Sequence, residues 1–360
     1  MGSSSTASPE AVASAAVRET RPVRARQRGL SSLPPDSRQP KVTGRIATLA
    51  LLMVLAIALL TAVPALRPLV RTIAHIDPVW IVAAIALELA SCVSFVILFR
   101  LFFDRLSPRD ARALAWTEMA SGALLPGGGA GGLAIGGWLI HLAGAPTNWI
   151  IRRSGGLFFL TTAANSLAII SCGLLLGVHA AQPHGFTLSV LPAGLALAAT
   201  LPVAALPHIL SSRTRAPRWV AGISAGVLDA EQTTFGHPSW RLAGALGYLG
   251  FDMAVLWITL HAVGEPVAVP ALVLAYNIGY LANALPIPGG IGALDAGLAG
   301  SLLLYGASPA HVTAAVLAYH AIALWIPGLG GTFAYLRVRG RLARAPSTPS
   351  PAAEDGPGSP

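Results

Sequence analysis

The sequence predicts an all-α, polytopic membrane protein with six transmembrane helices and two re-entrant helical hairpins arranged as an inverted repeat. Three observations predict this fold. Of 360 residues, 54% are hydrophobic and only 11% are charged, whereas a soluble chain carries roughly 25% charged residues. Apolar runs recur along the chain at spanning length, and two further apolar regions are broken in the middle at matching positions. The solvent of this chain is therefore lipid, which excludes an ordinary soluble enzyme.

Six full spans are predicted near 46–66, 79–103, 155–178, 188–210, 241–263 and 312–335. Each holds about twenty mainly apolar residues, enough at a rise of ~1.5 Å per residue to cross a hydrocarbon core of ~30 Å. The first run is not followed by a small-residue cleavage pattern, so we expect it to remain as a helix. Residues 1–44 and 345–360 lack hydrophobic periodicity and predict disordered tails around a transmembrane domain at 45–340.

Two apolar regions, 113–144 and 275–306, behave differently from the spans. The first is broken at Pro126-Gly127-Gly128-Gly129 and the second at Pro286-Ile287-Pro288-Gly289-Gly290. Neither half is long enough to cross the bilayer alone. Each region is therefore interpreted as a half-helix, a break and a second half-helix that returns to the same side.

The basic residues predict the orientation. With the N-terminus inside, 22 of the 24 Lys and Arg residues fall in cytoplasmic segments, and only Arg67 and Arg71 fall outside. This bias fits the positive-inside rule with six crossings. We therefore expect a multi-pass protein of the cell membrane, inner or plasma, with both termini in the cytoplasm.

The two broken regions match at one fixed offset along the chain, which we call the repeat offset. It places Pro126 on Pro288 and Gly144-Ala145 on Gly306-Ala307. The flanking spans also fall into register, which gives repeat halves at about 79–178 and 241–340. Because the hairpins then enter from opposite sides, the repeat is inverted, an architecture in which a transport site lies at the midplane. The alternative is that glycine-rich membrane segments resemble one another by composition alone.

The glycines at the breaks are the first candidates for a binding site. The second half-helix of a hairpin begins with unpaired N–H groups and the positive end of its dipole, which suits an anion such as a lipid phosphate. The candidates are Pro126, Gly127, Gly128 and Gly129 at the first break and Pro288, Gly289, Gly290 and Gly292 at the second. The alternative is that these glycines serve only the tight turn and close packing.

Four carboxylates lie inside apolar regions: Glu88, Glu118, Asp252 and Asp295. An ionised side chain at the bilayer centre costs about 2.5–3.5 kcal/mol, so such residues usually face a cavity or a partner. Glu118 and Asp295 flank the two breaks and are expected to line one midplane cavity. Glu88 and Asp252 are expected to pair with His141, His261 or His320, or to titrate in proton coupling. The alternative for each is a neutral, hydrogen-bonded carboxyl that fixes helix packing.

Several other functions are poorly supported by the sequence. The net charge of +9 would suggest nucleic acid in a soluble chain, but here the basic residues lie between and beyond the apolar runs. No metal-ligand spacing, nucleophile elbow or phosphate-cradling motif is present, so we predict no cofactor and no metal. Cys92 and Cys172 lie inside apolar runs and are interpreted as packing residues.

The second broken region and the helix after it resemble a known family. The stretch AYNIGYLANALPIPGGIGALDAGLAGSLLLYGASPAHVTAAVLAYHAIALWIPGLGG at 275–331 is similar to the C-terminal signature of the lysylphosphatidylglycerol synthase transmembrane family, the flippase-like domain. SGALLPGGGAGGLAIGGWLI at 121–140 looks like the family's first Pro/Gly break. The resemblance covers roughly residues 46–340.

The resemblance implies a role in moving phospholipid, in particular aminoacylated phosphatidylglycerol, between leaflets. Pro288, Gly289, Gly290 and Gly292 match the family's second break, and Asp295 matches its carboxylate, which is usually Glu. His320 stands where the family often has Arg. The first motif departs from the family because it lacks the Gly-Glu and following Arg of many members. Only a short tail follows residue 344, so we expect no soluble aminoacyl-transfer domain in this chain.

The leading hypothesis is a translocase for an anionic phospholipid or a lipid-linked molecule, with membrane lipids as its partners. A second is a non-transporting partner that scaffolds a separately encoded enzyme modifying lipids or glycans. A third is an intramembrane enzyme that uses Glu118 or Asp295 as acid or base; it ranks last because no nucleophile or metal accompanies them.

Overall fold

The computed structural model describes residues 76–125, 128–142, 145–178, 183–210, 217–236, 238–284, 290 and 292–344. Within these residues the protein is all-α, with ten α-helices and no strand. The predicted first span at 46–66 and the two predicted tails lie outside the described residues.

The helices run in chain order as α1 (Pro78–Phe102), α2 (Pro108–Leu124), α3 (Gly128–Leu142), α4 (Thr147–Val178), α5 (Pro183–Leu210), α6 (Arg218–Glu231), α7 (Ala243–Ala262), α8 (Val269–Tyr280), α9 (Ala293–Leu304) and α10 (Pro309–Arg344). A π turn at Gln232–Gly236 follows α6, a 3₁₀ turn at Trp240–Leu242 leads into α7, and a 3₁₀ turn at Leu281–Ala284 follows α8.

Five stretches of helix are long and apolar enough to cross a membrane. They are Pro78–Phe102, Thr147–Val178, Phe186–Leu210, Trp240–Ala262 and Pro309–Arg337. These match, in order, the five predicted spans that fall within the described residues. The prediction of a multi-pass α-helical membrane protein is therefore confirmed.

Local sequence determines where the helices of the first half begin and end. Asp77 caps α1 by accepting the Val79 N–H at 2.9 Å, and Pro78 occupies the first turn, where its missing N–H costs nothing. Ser107 caps α2 by accepting the Asp110 N–H at 3.2 Å. The last helical turn of α2 ends at Leu125, whose backbone is extended because the next residue is proline.

The helices on either side of each predicted break are short. α2 and α3 have 17 and 15 residues, and α8 and α9 have 12 each, less than the ~20 residues that a span needs. α2 contacts α3 along its length, and α8 contacts α9. Glycines permit the second contact, since a side chain at Gly279 would meet the backbone nitrogen of Leu298 at 2.7 Å.

The remaining contacts build two apolar clusters. α1 crosses α7, α2 packs on α10, and α4 packs on α5, α6 and α8. One buried cluster is formed mostly by α1 to α4 and is centred on residues such as Phe99 and Leu114. The other is formed mostly by α7 to α10 and is centred on residues such as Leu256 and Tyr319.

Two segments differ from the sequence-based expectation. α4 begins at Thr147, before the predicted start at 155, so Arg152 and Arg153 lie on the helix instead of in a loop. Their charges are compensated by Asp229, which accepts from Arg152 Nε at 2.6 Å and lies 3.6 Å from Arg153 Nη1. Asp229 belongs to α6, a helix in the stretch 211–240 that was predicted only to link two spans. Its signal was the spacing of Trp219, Ile223 and Val227, which is helical.

Candidate functional site

A cavity of about 250 Å³ lies among α1, α2, α4, α7 and α10, and α3, α8 and α9 each contribute one residue to its wall. Three of the four predicted intramembrane carboxylates line it, one each from α1, α2 and α7. They are Glu88, Glu118 and Asp252, and His320 of α10 lines it with them. Among the described lining residues there is no lysine or arginine. The cavity therefore presents acidic groups and one imidazole in an otherwise apolar bundle.

Glu88 has few polar contacts in the cavity. It is 5% exposed, and its Oε2 has no hydrogen-bond partner among the described residues. Its Oε1 receives only a long contact of 3.8 Å from the thiol of Cys92, one turn later on α1. A buried polar atom without a partner is rare in proteins and calls for an explanation, such as a water, an ion or a functional role.

Asp252 has a different environment in the same cavity. Tyr276 donates a short hydrogen bond to its Oδ2, and Tyr319 Oη lies 3.2 Å from each of its oxygens. Tyr276 stands on α8 and Tyr319 on α10, so one carboxylate joins three helices of the second half. Two hydroxyl donors stabilise an anionic carboxylate.

Glu118 is 5% exposed and points from α2 toward α3. Its carboxylate rests on Gly136, where any Cβ would collide with Oε2, and its carbonyl oxygen lies 2.6 Å from the position of a Cβ on Gly132. Gly132 and Gly136 are one turn apart and form the face of α3 that receives α2. Part of the glycine-rich string therefore serves close packing and makes room for a carboxyl group.

Asp295 does not line the cavity itself but holds a residue that does. Its Oδ1 lies 2.5 Å from His320 Nδ1, and its Oδ2 accepts the N–H of Gly292 at 2.9 Å. Gly292 begins α9 with a φ of 84°, a left-handed conformation that a side chain disfavours. One carboxylate thus fixes both the start of α9 and the orientation of the cavity histidine.

The predicted glycine sites are described only in part. Pro126, Gly127, Pro288 and Gly289 lie outside the described residues, and Gly128 and Gly129 are described only as the first residues of α3. Gly290 has a φ of 64° and Gly292 a φ of 84°. Both positive φ values fit a turn that requires glycine, which is the alternative we considered for these residues.

The three histidines considered as partners of Glu88 and Asp252 have other contacts in the structure. His320 pairs with Asp295. His261 bonds to the Trp257 carbonyl at 2.8 Å, and His141 lies 3.3 Å from the Ala145 carbonyl. The pairing of Glu88 or Asp252 with a histidine stays a prediction, and the contacts described for Asp252 are hydroxyl donors from α8 and α10.

The sequence analysis missed the tyrosines of the site. Tyr276 and Tyr319 bind Asp252, while Tyr248 and Tyr280 line the cavity. A tyrosine within an apolar run reads as an ordinary packing residue. No sequence signal pointed to these residues, because the pairing of a hydroxyl donor with a carboxyl on another helix is not visible in sequence spacing.

The cavity wall also includes a proline inside a helix. Pro327 lies within α10 and has no N–H to donate to the carbonyl of Ala323, one turn earlier. Both residues line the cavity. The described residues contain no group of three or more His, Cys, Asp or Glu side chains placed to hold a metal ion.

Comparison with known families supports the resemblance seen in the sequence. The family described as Lysylphosphatidylglycerol synthase TM region matches residues 45–331. The match covers most of the chain, including every helix that lines the cavity. No curated protein matches the chain.

Proposed function

Because the chain belongs to the lysylphosphatidylglycerol synthase transmembrane family, we propose that it translocates a phospholipid or lipid-linked molecule between the two leaflets of the membrane. The observation that carries the proposal is the buried cavity with Glu88, Glu118 and Asp252 on its wall. Polar groups inside a membrane protein are costly and commonly mark a pathway for a polar cargo. The lipid headgroup would enter this cavity while its acyl chains stay in the bilayer.

An inverted repeat is part of the same proposal, and helix bounds support it. The repeat offset that places Pro126 on Pro288 also places Leu142, the end of α3, on Leu304, the end of α9. The same offset places the start of α4 on the start of α10, since Thr147 falls on Pro309. Helix ends and sequence breaks therefore repeat in one register.

Contacts within the two halves support the repeat as well. Phe103 packs edge-on against Trp149 in the first half, with ring centroids 5.5 Å apart. The repeat offset places these two residues on Glu265 and His311, which lie 3.1 Å apart. The same two backbone positions are thus in contact in both halves, although the chemistry of the pair differs. Composition alone does not explain such a correspondence.

Some residues of the cavity wall are related by the repeat offset, which also supports the proposal. Four pairs of its lining residues are related by the repeat offset: Leu157 and Tyr319, Phe158 and His320, Thr161 and Ala323, and Glu118 and Tyr280. A cavity lined by equivalent positions of two halves lies at their interface. In transporters with inverted repeats, rocking of the halves about such a site exposes it to each side in turn.

The orientation is proposed from the charge distribution. With 22 of 24 basic residues on one side, the positive-inside rule places both termini in the cytoplasm and the protein in the inner or plasma membrane. The two short helix pairs, α2–α3 and α8–α9, would then enter from opposite sides as re-entrant hairpins. We propose no bond-making step for the cavity.

The test uses purified protein in liposomes of phosphatidylglycerol and phosphatidylcholine. The probes are lysylphosphatidylglycerol, followed with an impermeant amine reagent, and fluorescent phosphatidylglycerol, followed with an impermeant quencher. Exchange of either probe between leaflets faster than in protein-free liposomes supports the proposal. Glu118→Gln should slow it and Glu265→Gln, outside the cavity, should not. Exchange equal to that of protein-free liposomes contradicts the proposal.

The second candidate is a non-transporting partner of a separately encoded lipid- or glycan-modifying enzyme. It is favoured only by the departures of the first break from the family pattern. Copurification of such an enzyme from native membranes, together with no exchange of either probe, would select it over translocation.

A further inference from the structure

The unpaired oxygen of Glu88 is the feature of the cavity that translocation alone does not explain. Glu88 lies on α1, is 5% exposed and lines the cavity, and its Oε2 has no partner among the described residues. An ionised carboxylate in such a place has too few donors among the described residues to replace its hydration, so burial disfavours the charged form. The same carboxyl is tolerated when it carries a proton.

Among the described residues of the cavity wall, no charged or titratable group offers Glu88 a permanent cation. α1 packs against α2, α4, α7, α10 and the 3₁₀ turn before α7. The titratable groups that share the cavity with Glu88 are Cys92, Glu118, Tyr248, Asp252, Tyr280, Tyr319 and His320. Only His320 can become positive, and its Nδ1 is already bound to Asp295. α4 and the 3₁₀ turn contribute no titratable side chain to the cavity wall.

Glu88 and Asp252 line the same cavity but differ in their hydrogen-bond donors. Asp252 accepts from Tyr276 and Tyr319, whereas Glu88 has only the long thiol contact from Cys92. If the cavity holds one negative charge, the two tyrosine hydroxyls favour it on Asp252. A second negative charge on Glu88 would add repulsion in a site of low dielectric.

We propose that Glu88 is a proton-binding site and that the proton is the coupling ion of translocation. In the closed arrangement of the cavity the Glu88 carboxyl holds a proton and Asp252 holds the charge. When the cavity opens to water, the O–H bond of Glu88 breaks, the proton passes to water and the negative charge stays on the carboxylate. Closure then requires Glu88 to take up a proton again. The coupling rests on the proposed translocation, but the proton site does not.

Infrared spectroscopy of the full-length protein in lipid vesicles tests the proton site directly. A protonated carboxyl absorbs apart from a carboxylate, and its band shifts in heavy water. We expect this band at neutral pH, with a component that Glu88→Gln removes and Glu265→Gln leaves. Glu118→Gln identifies the part of the band that comes from the second buried Glu. Glu88→Asp should show a protonated-carboxyl band again, at a shifted frequency. A wild-type spectrum that Glu88→Gln leaves unchanged overturns the proposal.

A leaflet-distribution assay tests the coupling separately. The probe is lysylphosphatidylglycerol in liposomes of phosphatidylglycerol and phosphatidylcholine, under an imposed gradient of about one pH unit. Such a gradient shifts the distribution between leaflets by about tenfold for each coupled proton. We expect that shift in wild type, its reversal when the gradient is reversed, and its loss in Glu88→Gln.

The outcomes separate the two proposals. Rapid exchange that ends at the same leaflet distribution with and without the gradient overturns the coupling and leaves translocation standing. No exchange in wild type overturns translocation and the coupling with it. The infrared band then still decides whether Glu88 binds a proton.

Discussion

The imidazole Nδ1 of His320 lies 2.5 Å from the Oδ1 of Asp295, which ties the middle of α10 to the first turn of α9. The second oxygen of Asp295 accepts the N–H of Gly292 at 2.9 Å. A residue that looks like a simple helix cap thus also sets the direction of the one histidine on the described cavity wall. Asp295 is 18% exposed and His320 is 9% exposed at their side chains, so the pair is largely shielded from solvent.

Asp295→Asn should weaken both contacts, because an amide cannot replace the charged acceptor at both oxygens. We expect a loss of about 1–3 kcal/mol in the free energy of unfolding and slower exchange of lysylphosphatidylglycerol. Thermal unfolding in detergent and the liposome assay measure the two effects. The matched control is Asp110→Asn, because Asp110 occupies the same third position of α2, away from the cavity. Equal effects of both substitutions on exchange would contradict the role of the pair.

Tyr276→Phe should remove the shorter hydrogen bond to Asp252 and leave a partly buried carboxylate with one donor. We expect a loss of about 1–3 kcal/mol in the free energy of unfolding and a smaller loss for Tyr319→Phe, whose contacts are 3.2 Å. The loss of unfolding free energy in the double variant should differ from the sum of the two single losses, because both donors share one acceptor.

The control for the tyrosines is Tyr305→Phe. Its hydroxyl donates to the Leu188 carbonyl at 2.8 Å, away from the cavity wall. This variant should lose stability without slowing lipid exchange. Additive effects of Tyr276→Phe and Tyr319→Phe would argue against a shared carboxylate.

Gly136→Ala should displace the carboxylate of Glu118, because the added Cβ would occupy its place. We expect slower lipid exchange, with loss of stability where α2 cannot move away. Gly250→Ala is the control, since Gly250 is exposed on α7 and a Cβ there meets nothing within 4 Å. That variant should gain up to about 1 kcal/mol because alanine is the better helix residue. Lipid exchange at the wild-type rate in Gly136→Ala would contradict the claim that the position of the Glu118 carboxylate matters for exchange.

Glu265 gives a prediction of pH dependence outside the spans. Hydrogen bonds from the hydroxyl and backbone N–H of Ser308 lower the pKa of this carboxyl below its ordinary value of 4.5, with a further contribution from His311. A lowered pKa stabilises the folded state above the unfolded value, and this stabilisation is lost as the pH falls through the folded value. On acidification below about pH 4.5, the unfolding temperature should fall less steeply in Glu265→Gln than in wild type. Identical slopes in tryptophan fluorescence melts would contradict this assignment.

The sequence predicted the transmembrane fold well because spanning helices are selected mainly by apolar length. The five spans within the described residues begin and end close to their predicted bounds, apart from the start of α4, which lies at Thr147 and not at 155. Asp229 compensates Arg152 and Arg153 from α6, and a contact between distant helices is invisible in a single sequence. The amphipathic helix α6 was missed for a different reason, since the helical spacing of Trp219, Ile223 and Val227 was present in the sequence.

The sequence predicted the carboxylates of the candidate site but not the tyrosine hydroxyls that donate hydrogen bonds to them. A carboxyl group in an apolar run is conspicuous, so Glu88, Glu118 and Asp252 could be named from sequence. Their partners depend on which helices cross and at which level. Tyr276 and Tyr319 reach Asp252 from α8 and α10, and no local pattern carries that information.

The proposed translocation depends most on two halves of opposite orientation that meet at the cavity. Asn148 and Ala310 are both exposed, are related by the repeat offset and stand at the starts of α4 and α10. With Cys92 and Cys172 replaced by serine, Asn148→Cys and Ala310→Cys can be labelled separately with an impermeant thiol reagent in intact cells and in inverted vesicles. We expect Asn148→Cys to react only from the cytoplasmic side and Ala310→Cys only from the outside. Labelling of both from one side would contradict the inverted repeat and the translocation mechanism built on it.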